Sequence, residues 1–229
     1  MSLIYFDIET LPTTDPAVIA EIASTITPPG NISKPETIAA WEVEKKPALV
    51  DLAVAKTSFD GLYGSIACIC WAVDDGPIQY VASSGGEDGM LQAFFGELTL
   101  SLSAPHSKIE AATHTYVGHN LAGFDLPFLK HRAILHGIQP NASLLRAMNA
   151  KPWDSSIADT MLMWSSDRDR KVGLDKLCRA MGIKGKDGFD GSMVAETWPI
   201  DPERVIAYCK DDVERVRALY ARLTFRGAA

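Results

Sequence analysis

The stretch SLIYFDIET, residues 2–10, decides how the rest of the chain is read. Leu3, Ile4, Tyr5, Phe6 and Ile8 favour a strand, and such a run belongs in a dry interior. Two carboxylates, Asp7 and Glu9, interrupt it. Residues two apart in a strand point to the same face, so these acids stand side by side among apolar neighbours. Like charges at that spacing repel, and an unpaired charge in a low-dielectric site is costly. The run therefore predicts a buried strand whose acids are balanced by something that the strand does not itself supply.

Around it lie 229 residues that are 47% hydrophobic, enough for a substantial core in one domain spanning 1–229. Lys and Arg number 22 against 29 Asp and Glu, a net charge of −7. Such a chain has no bulk attraction for nucleic acid or an anionic membrane, so an anionic substrate must be held by local groups or cations. The cysteines at 68, 70, 178 and 209 are scattered. Cys68 and Cys70 form a C-x-C on an expected buried strand with no second pair elsewhere. They read as reduced core thiols, not zinc ligands, and fit a cytoplasmic location. No signal peptide and no bilayer-spanning apolar run is seen, so no membrane association is expected.

Further strands are expected at GSIACICWAV (64–73), GPIQYVAS (76–83) and HTYVGHN (114–120), with DDG (74–76) turning between the first two. Met90, Leu91, Phe94, Phe95, Leu98 and Leu102 recur at helical spacing from Glu87 onward. DLPFLKHRAILHG (125–137) predicts a helix with Asp125 as N-cap, Pro127 in its first turn and Gly137 at its end. SIADTMLMW (156–164) starts like a strand, and GLDKLCRAMGI (173–183) is a short helix. A long final helix runs over 201–223, with Asp201 as cap and Pro202 first. Strands in a meander, then strands alternating with helices, indicate an α/β domain with a mixed sheet covered by helices. Residues from 12 to about 62 depart from this rhythm. They hold six of the 13 prolines, a capping-box pattern from Ser33 to Glu36 and a helical stretch ETIAAWEVEKK (36–46). This is a partly helical insertion after the first strand, serving either to cover an active site or simply to pack.

Two more acids join Asp7 and Glu9. A capping role alone would explain Asp125. Asp212 is harder to explain structurally, because Val205, Cys209, Val216 and Leu219 share its side of the last helix. Asp211, Glu214 and Arg215 are expected to turn elsewhere, while Tyr208 lies one turn earlier on the same face. If the first strand is central and both helices pack on it, four carboxylates converge. Mg²⁺ or Mn²⁺, which favour oxygen ligands, would then balance them. Two such ions about 4 Å apart can flank a phosphodiester, with Tyr208 positioning the attacking water.

FDIET (6–10), HNLAGFDLPFL (119–129) and YCKDDV (208–213), in this order, resemble the three motifs of the DEDD-family 3′–5′ exonucleases. The second matches N-x-x-x-F-D-x-P through Asn120, Phe124, Asp125 and Pro127, and the third matches Y-x-x-x-D through Tyr208 and Asp212. Ala207 stands where the histidine subtype needs its histidine, so the resemblance is to the tyrosine subtype. Residues 173–194 further resemble the segment before the third motif in relatives of the proofreading domain of family-B DNA polymerases. With no polymerase domain following, a stand-alone exonuclease is expected.

The resemblance implies a ribonuclease H-like mixed β-sheet flanked by helices, with two divalent cations, Mg²⁺ or Mn²⁺, as cofactors. Asp7 would bridge both ions, Glu9 and Asp212 would hold the water-activating one, and Asp125 the other. Thr10 and Leu11 match positions that touch the terminal nucleotide, and Asn120 and Phe124 match positions along the strand's path. Thr10 ending a strand and Phe124 filling the core are the bland alternatives. The implied reaction removes 5′-mononucleotides from the 3′ ends of mainly single-stranded DNA. RNA or short oligonucleotides are an alternative substrate, and a non-catalytic binding module on the same fold is the rival class. Asp159 reads as a turn or cap residue, and His119 as structural. Lys45, Lys46, Lys130, Arg132, Arg168, Arg170, Lys171, Lys184 and Lys186 form a phosphate track only if they cluster in space.

Overall fold

The acid-bearing run forms β1 (Leu3–Leu11) in the middle of a five-stranded sheet. The computed structural model describes residues 2–102, 114–165 and 171–226. After β1 come α1 (Pro16–Thr25), α2 (Pro35–Glu44) and α3 (Lys46–Lys56), then β2 (Ser65–Val73), β3 (Gln79–Ala82), α4 (Glu87–Leu102) and β4 (Thr115–Gly118). The chain continues through α5 (Asp125–Leu135), α6 (Ala142–Met148), β5 (Ile157–Asp159), α7 (Thr160–Trp164), α8 (Leu174–Ala180), α9 (Val194–Thr197) and α10 (Pro202–Leu223). The strand order is β3-β2-β1-β4-β5. β1 pairs antiparallel with β2 and parallel with β4, which gives the expected mixed α/β sheet.

A period of two along β1 assigns its side chains to two separate cores. Ile4, Phe6 and Ile8 pack with Leu91, Phe94 and Leu98 of α4 and with Leu126 and Leu129 of α5. Tyr5 points the other way, to Val205, Cys209, Val213 and Val216 of α10. Asp7 and Glu9 share the parity of Tyr5, so they face α10. The β1–β2 register shifts between Glu9 and Thr10, with Glu9 opposite Cys68 and Thr10 opposite Ile66. The extra residue, Ala67, is a bulge that lets Ile66 and Ile69 enter the same core although they are three apart. Such bulges re-aim neighbouring side chains, and this one adjoins Glu9.

α10 is an amphipathic helix, started by Asp201, whose carboxylate accepts from Arg204 N–H, and by Pro202. α5 starts differently from expectation. Phe124 holds the cap position without a side-chain bond, and Asp125 is the first helical residue. Its carboxylate is thereby released for a longer-range contact.

The insertion is more helical than its sequence pattern indicated. In α2, Pro35 occupies the first turn and Lys34 the cap, so the Ser33–Glu36 capping box does not form. No residue of α1 or α3 is buried, and Trp41 is the buried residue of α2. The insertion is held near both its ends. Thr10 Oγ1 donates to Ser58 O at 2.7 Å, and Thr13 N–H donates to Thr57 Oγ1 at 2.8 Å. Among the described residues, no helix is long and apolar enough to cross a membrane.

Candidate active site

The pairing of β4 with β1 ends at Tyr5 opposite Val117, which leaves the edge of β1 open beyond that point. The chain turns back over this gap through Asn120, whose φ of +62° suits Asn better than most residues. Gly123 permits the turn, since a Cβ there would lie 2.6 Å from Asn120 Oδ1. Asp159 clamps the loop by accepting from Asn120 and Ala122 N–H, both at 3.0 Å, and it also caps α7 through Met161 N–H. This agrees with its bland reading. His119 is likewise fixed, its ring nitrogens 2.9 Å from Thr160 Oγ1 and Val172 O. The loop delivers Asp125 to β1, where its Oδ1 accepts from Ile8 N–H at 3.3 Å. The side chain thus fills the hydrogen-bonding place that β4 vacates.

Four acids meet here electrostatically. Burial raises the Asp7 carboxyl well above the usual range, and Asp125, Asp212 and Glu9 push it higher. Glu9 is also raised well above its ordinary value, first by burial, then by Cys68 and Asp212, with Lys186 pulling the other way. Burial pushes Asp125 up to about 8 against the opposing backbone hydrogen bonds, including that from Ile8. Carboxyls that resist ionisation because they are buried and lie near other acids are groups that a bound cation would relieve. Oxygen donors in this number suit a hard ion such as Mg²⁺ or Mn²⁺.

α10 supplies the remaining pieces. Asp212 is buried on the face that its apolar neighbours predicted, and Asp211 is exposed. Arg215 corrects the expectation, because it is buried and paired with Asp212. At i and i+3 the two are helix neighbours, close enough for a guanidinium to reach across. Tyr208 lies on the same face, raised by burial and by the facing Asp212, Glu9 and Asp7, so its phenol keeps its proton.

Lys186, from the loop after α8, donates to Tyr208 Oη, lies 3.6 Å from Asp212 Oδ2 and sits over the Tyr208 ring. In the sequence it was one of nine scattered cations. Its placement depends on a loop pinned by Asp175, which accepts from Lys186 N–H at 2.8 Å, and no residue period carries that information. Several other cations on that track have private partners: Lys46 with Glu42, Lys130 with Asn149, Arg132 with Glu87 and Lys184 with Asp187. Arg168 and Arg170 lie outside the described residues.

Thr10 and Leu11 end β1 beside this pocket. Leu11 packs on the α10-side core, and the Thr10 hydroxyl is engaged by Ser58 O. Phe124 is partly buried between Phe128 and Phe59, whose rings lie 5.6 and 6.1 Å away. Phe59 belongs to the insertion and is 73% exposed. Sequence reasoning passed over it, since it ends a single 3₁₀ turn, Thr57–Phe59, too short for periodicity to mark it.

The family described as "predicted 3′–5′ exonuclease related to the exonuclease domain of PolB" matches residues 86–228, more than half of the chain. The chain belongs to that family. Asp125, Tyr208 and Asp212 fall within the matched segment, and Asp7 and Glu9 precede it. The fold of this family member is similar to that of the family B DNA polymerase from the hyperthermophilic archaeon Pyrobaculum calidifontis. The TM-score is 0.55 with 16% identity over 97% of this chain, which spans 24% of the polymerase chain. No curated protein matches in sequence.

Proposed function

We propose that this protein is a tyrosine-subtype 3′–5′ exonuclease that removes 5′-mononucleotides from the 3′ end of single-stranded DNA by a two-metal mechanism. The observation that carries this is the convergence of Asp7, Glu9, Asp125 and Asp212, where burial first and neighbouring acids second raise the carboxyls of the first three. Two Mg²⁺ or Mn²⁺ held among these acids would supply an activated water and charge stabilisation at the phosphate. Tyr208, kept protonated and steadied by Lys186, offers its phenolic proton to orient that water. The Lys186 ammonium adds positive charge beside the place where the phosphate's negative charge develops. Asn120, through its left-handed turn, holds Phe124 at the entrance, where Phe124 and the exposed Phe59 form a wall on which an unpaired base can stack. On this reading the insertion supplies part of the substrate path.

The test is incubation of the purified protein with a 5′-labelled single-stranded oligonucleotide. Mg²⁺ or Mn²⁺ should give a ladder shortening from the 3′ end, and chelation or Asp7→Asn should abolish it. A full ladder persisting in EDTA contradicts the metal mechanism. A matched RNA strand degraded faster than DNA would reassign the substrate, since the 2′-hydroxyl is the handle separating the two.

A further inference from the structure

Three cysteine sulfurs meet beneath the acid pocket. Cys68 and Cys70 lie two apart on β2 and face α10, from which Cys209 projects to meet them. The three Sγ atoms are within 4.8 Å of one another, and all three residues are fully buried. A buried free cysteine is ordinarily a small apolar filler, and for Cys178 that account suffices. It does not account for three thiols converging with carboxylates at one side. Cys209 Sγ lies 3.5 Å from Asp7 Oδ2, and Cys209, Asp7 and Glu9 form a second group whose ligand atoms are all within 4.8 Å. Counting cysteine pairs along the sequence left Cys68 and Cys70 without partners, because the third thiol lies more than a hundred residues away.

Zinc binds thiolate sulfur at about 2.3 Å, which in a tetrahedron sets the sulfurs roughly 3.8 Å apart. The three thiols, all within 4.8 Å of one another, therefore need to contract by about 1 Å at most to close on one ion. We propose that Cys68, Cys70 and Cys209 form a site for a thiophilic divalent cation of the zinc and cadmium class, with the Asp7 carboxylate as fourth ligand. The ion enters past the partly exposed Asp7, and each thiol releases its proton to solvent as it coordinates. Sulfur ligands select this class over Mg²⁺ and Mn²⁺, so the two pockets take different ions but share Asp7. A filled sulfur site withdraws Asp7 from the hard ions and inhibits the enzyme. The inhibition rests on the nuclease reading; the binding does not.

The binding test needs no nuclease assay. Metal-free protein is titrated with Cd²⁺ and followed by the ultraviolet sulfur-to-cadmium charge-transfer band. Protein loaded with one equivalent of Zn²⁺ in excess Mg²⁺ is measured by X-ray absorption at the zinc edge. The expected results are saturation at one Cd²⁺ per chain and three zinc–sulfur neighbours at about 2.3 Å. Cys68→Ala and Cys70→Ala, checked for folding by circular dichroism, should each shrink the band and weaken binding by roughly tenfold or more. Zinc surrounded by oxygen and nitrogen alone overturns the site even if neither variant folds. So does an unchanged band in the folded Cys68→Ala/Cys70→Ala double variant. In the oligonucleotide assay, one equivalent of Zn²⁺ should inhibit the wild type in excess Mg²⁺ and spare Cys70→Ala. Zinc–sulfur binding in a protein with no Mg²⁺-dependent activity would keep the site and sink the nuclease reading.

Discussion

Asp125→Asn separates two loads carried by one side chain. The Ile8 amide bond, at 3.3 Å, survives because asparagine keeps a carbonyl oxygen. The buried charge does not survive. Asp125 is pushed up to about 8 from an ordinary 3.8 by burial first, with Asp159 and Asp212 adding to it. A carboxyl raised on folding stabilises the native state fully below its unfolded pKa of about 4. That contribution is lost as pH climbs through about 8. The rise from 3.8 to about 8 sets a ceiling of roughly 5–6 kcal/mol. Asp7 and Glu9 share protons with Asp125 and relieve part of the repulsion, so the expected effect is on the order of 3 kcal/mol. In EDTA, Asp125→Asn should melt with the wild type near pH 4 and above it at pH 8. At roughly 2–4 °C per kcal/mol for a protein of this size, the gain is about 6–12 °C. Saturating Mn²⁺ should reverse the order at pH 8, because the wild type keeps a ligand that the variant has lost. Scanning calorimetry at both pH values measures this. A variant that melts at or below the wild type at pH 8 in EDTA refutes the argument that this carboxylate is held against its own charge.

Tyr208→Phe removes the phenolic hydroxyl while keeping the ring that packs against Phe189. The turnover number should fall about 10²-fold with the melting temperature nearly unchanged, and undiminished turnover would remove Tyr208 from the mechanism. Phe59→Ala should raise KM for a single-stranded oligonucleotide by roughly 5- to 150-fold, from a stacking contribution of about 1–3 kcal/mol per base. Its exposure predicts little change in stability, and an unaltered KM would return the insertion to a packing role. Because protons compete with metal for Asp7, Glu9 and Asp125, all raised in the metal-free protein, activity should fall as pH drops. Higher Mn²⁺ should move that fall to lower pH. A pH–rate profile that is flat between about 5 and 9 would contradict it.

Local periodicity made β1, α4, α5 and α10 legible in the sequence, since each must bury a stripe or a face. It also placed Asp212 and Tyr208 together, one turn apart on the same side. What it could not carry were contacts made across long chain separations. Asp125 read as a cap because capping and first-helical positions differ by one residue. The Ile8 amide that claims its carboxylate lies 117 residues away. Arg215 was assigned by angle alone, and a long side chain reaches around a helix further than its Cβ direction indicates. Lys186 sits in a loop and Phe59 in a single 3₁₀ turn, and their side-chain directions follow from tertiary anchors such as Asp175 and Thr10. α1 and α3 only half-bury their apolar stripes, Val18, Ile19 and Ile22 in one and Val50 and Val54 in the other, and proline-rich surroundings masked them in the sequence.

The most direct measurement is anomalous diffraction from a crystal soaked in Mn²⁺ with a nucleoside 5′-monophosphate. Two manganese peaks should appear about 4 Å apart, bounded by Asp7, Glu9, Asp125 and Asp212, with the phosphate between them and Tyr208. A nucleotide bound elsewhere, or manganese that leaves Asp125 and Asp212 uncoordinated, would contradict the account.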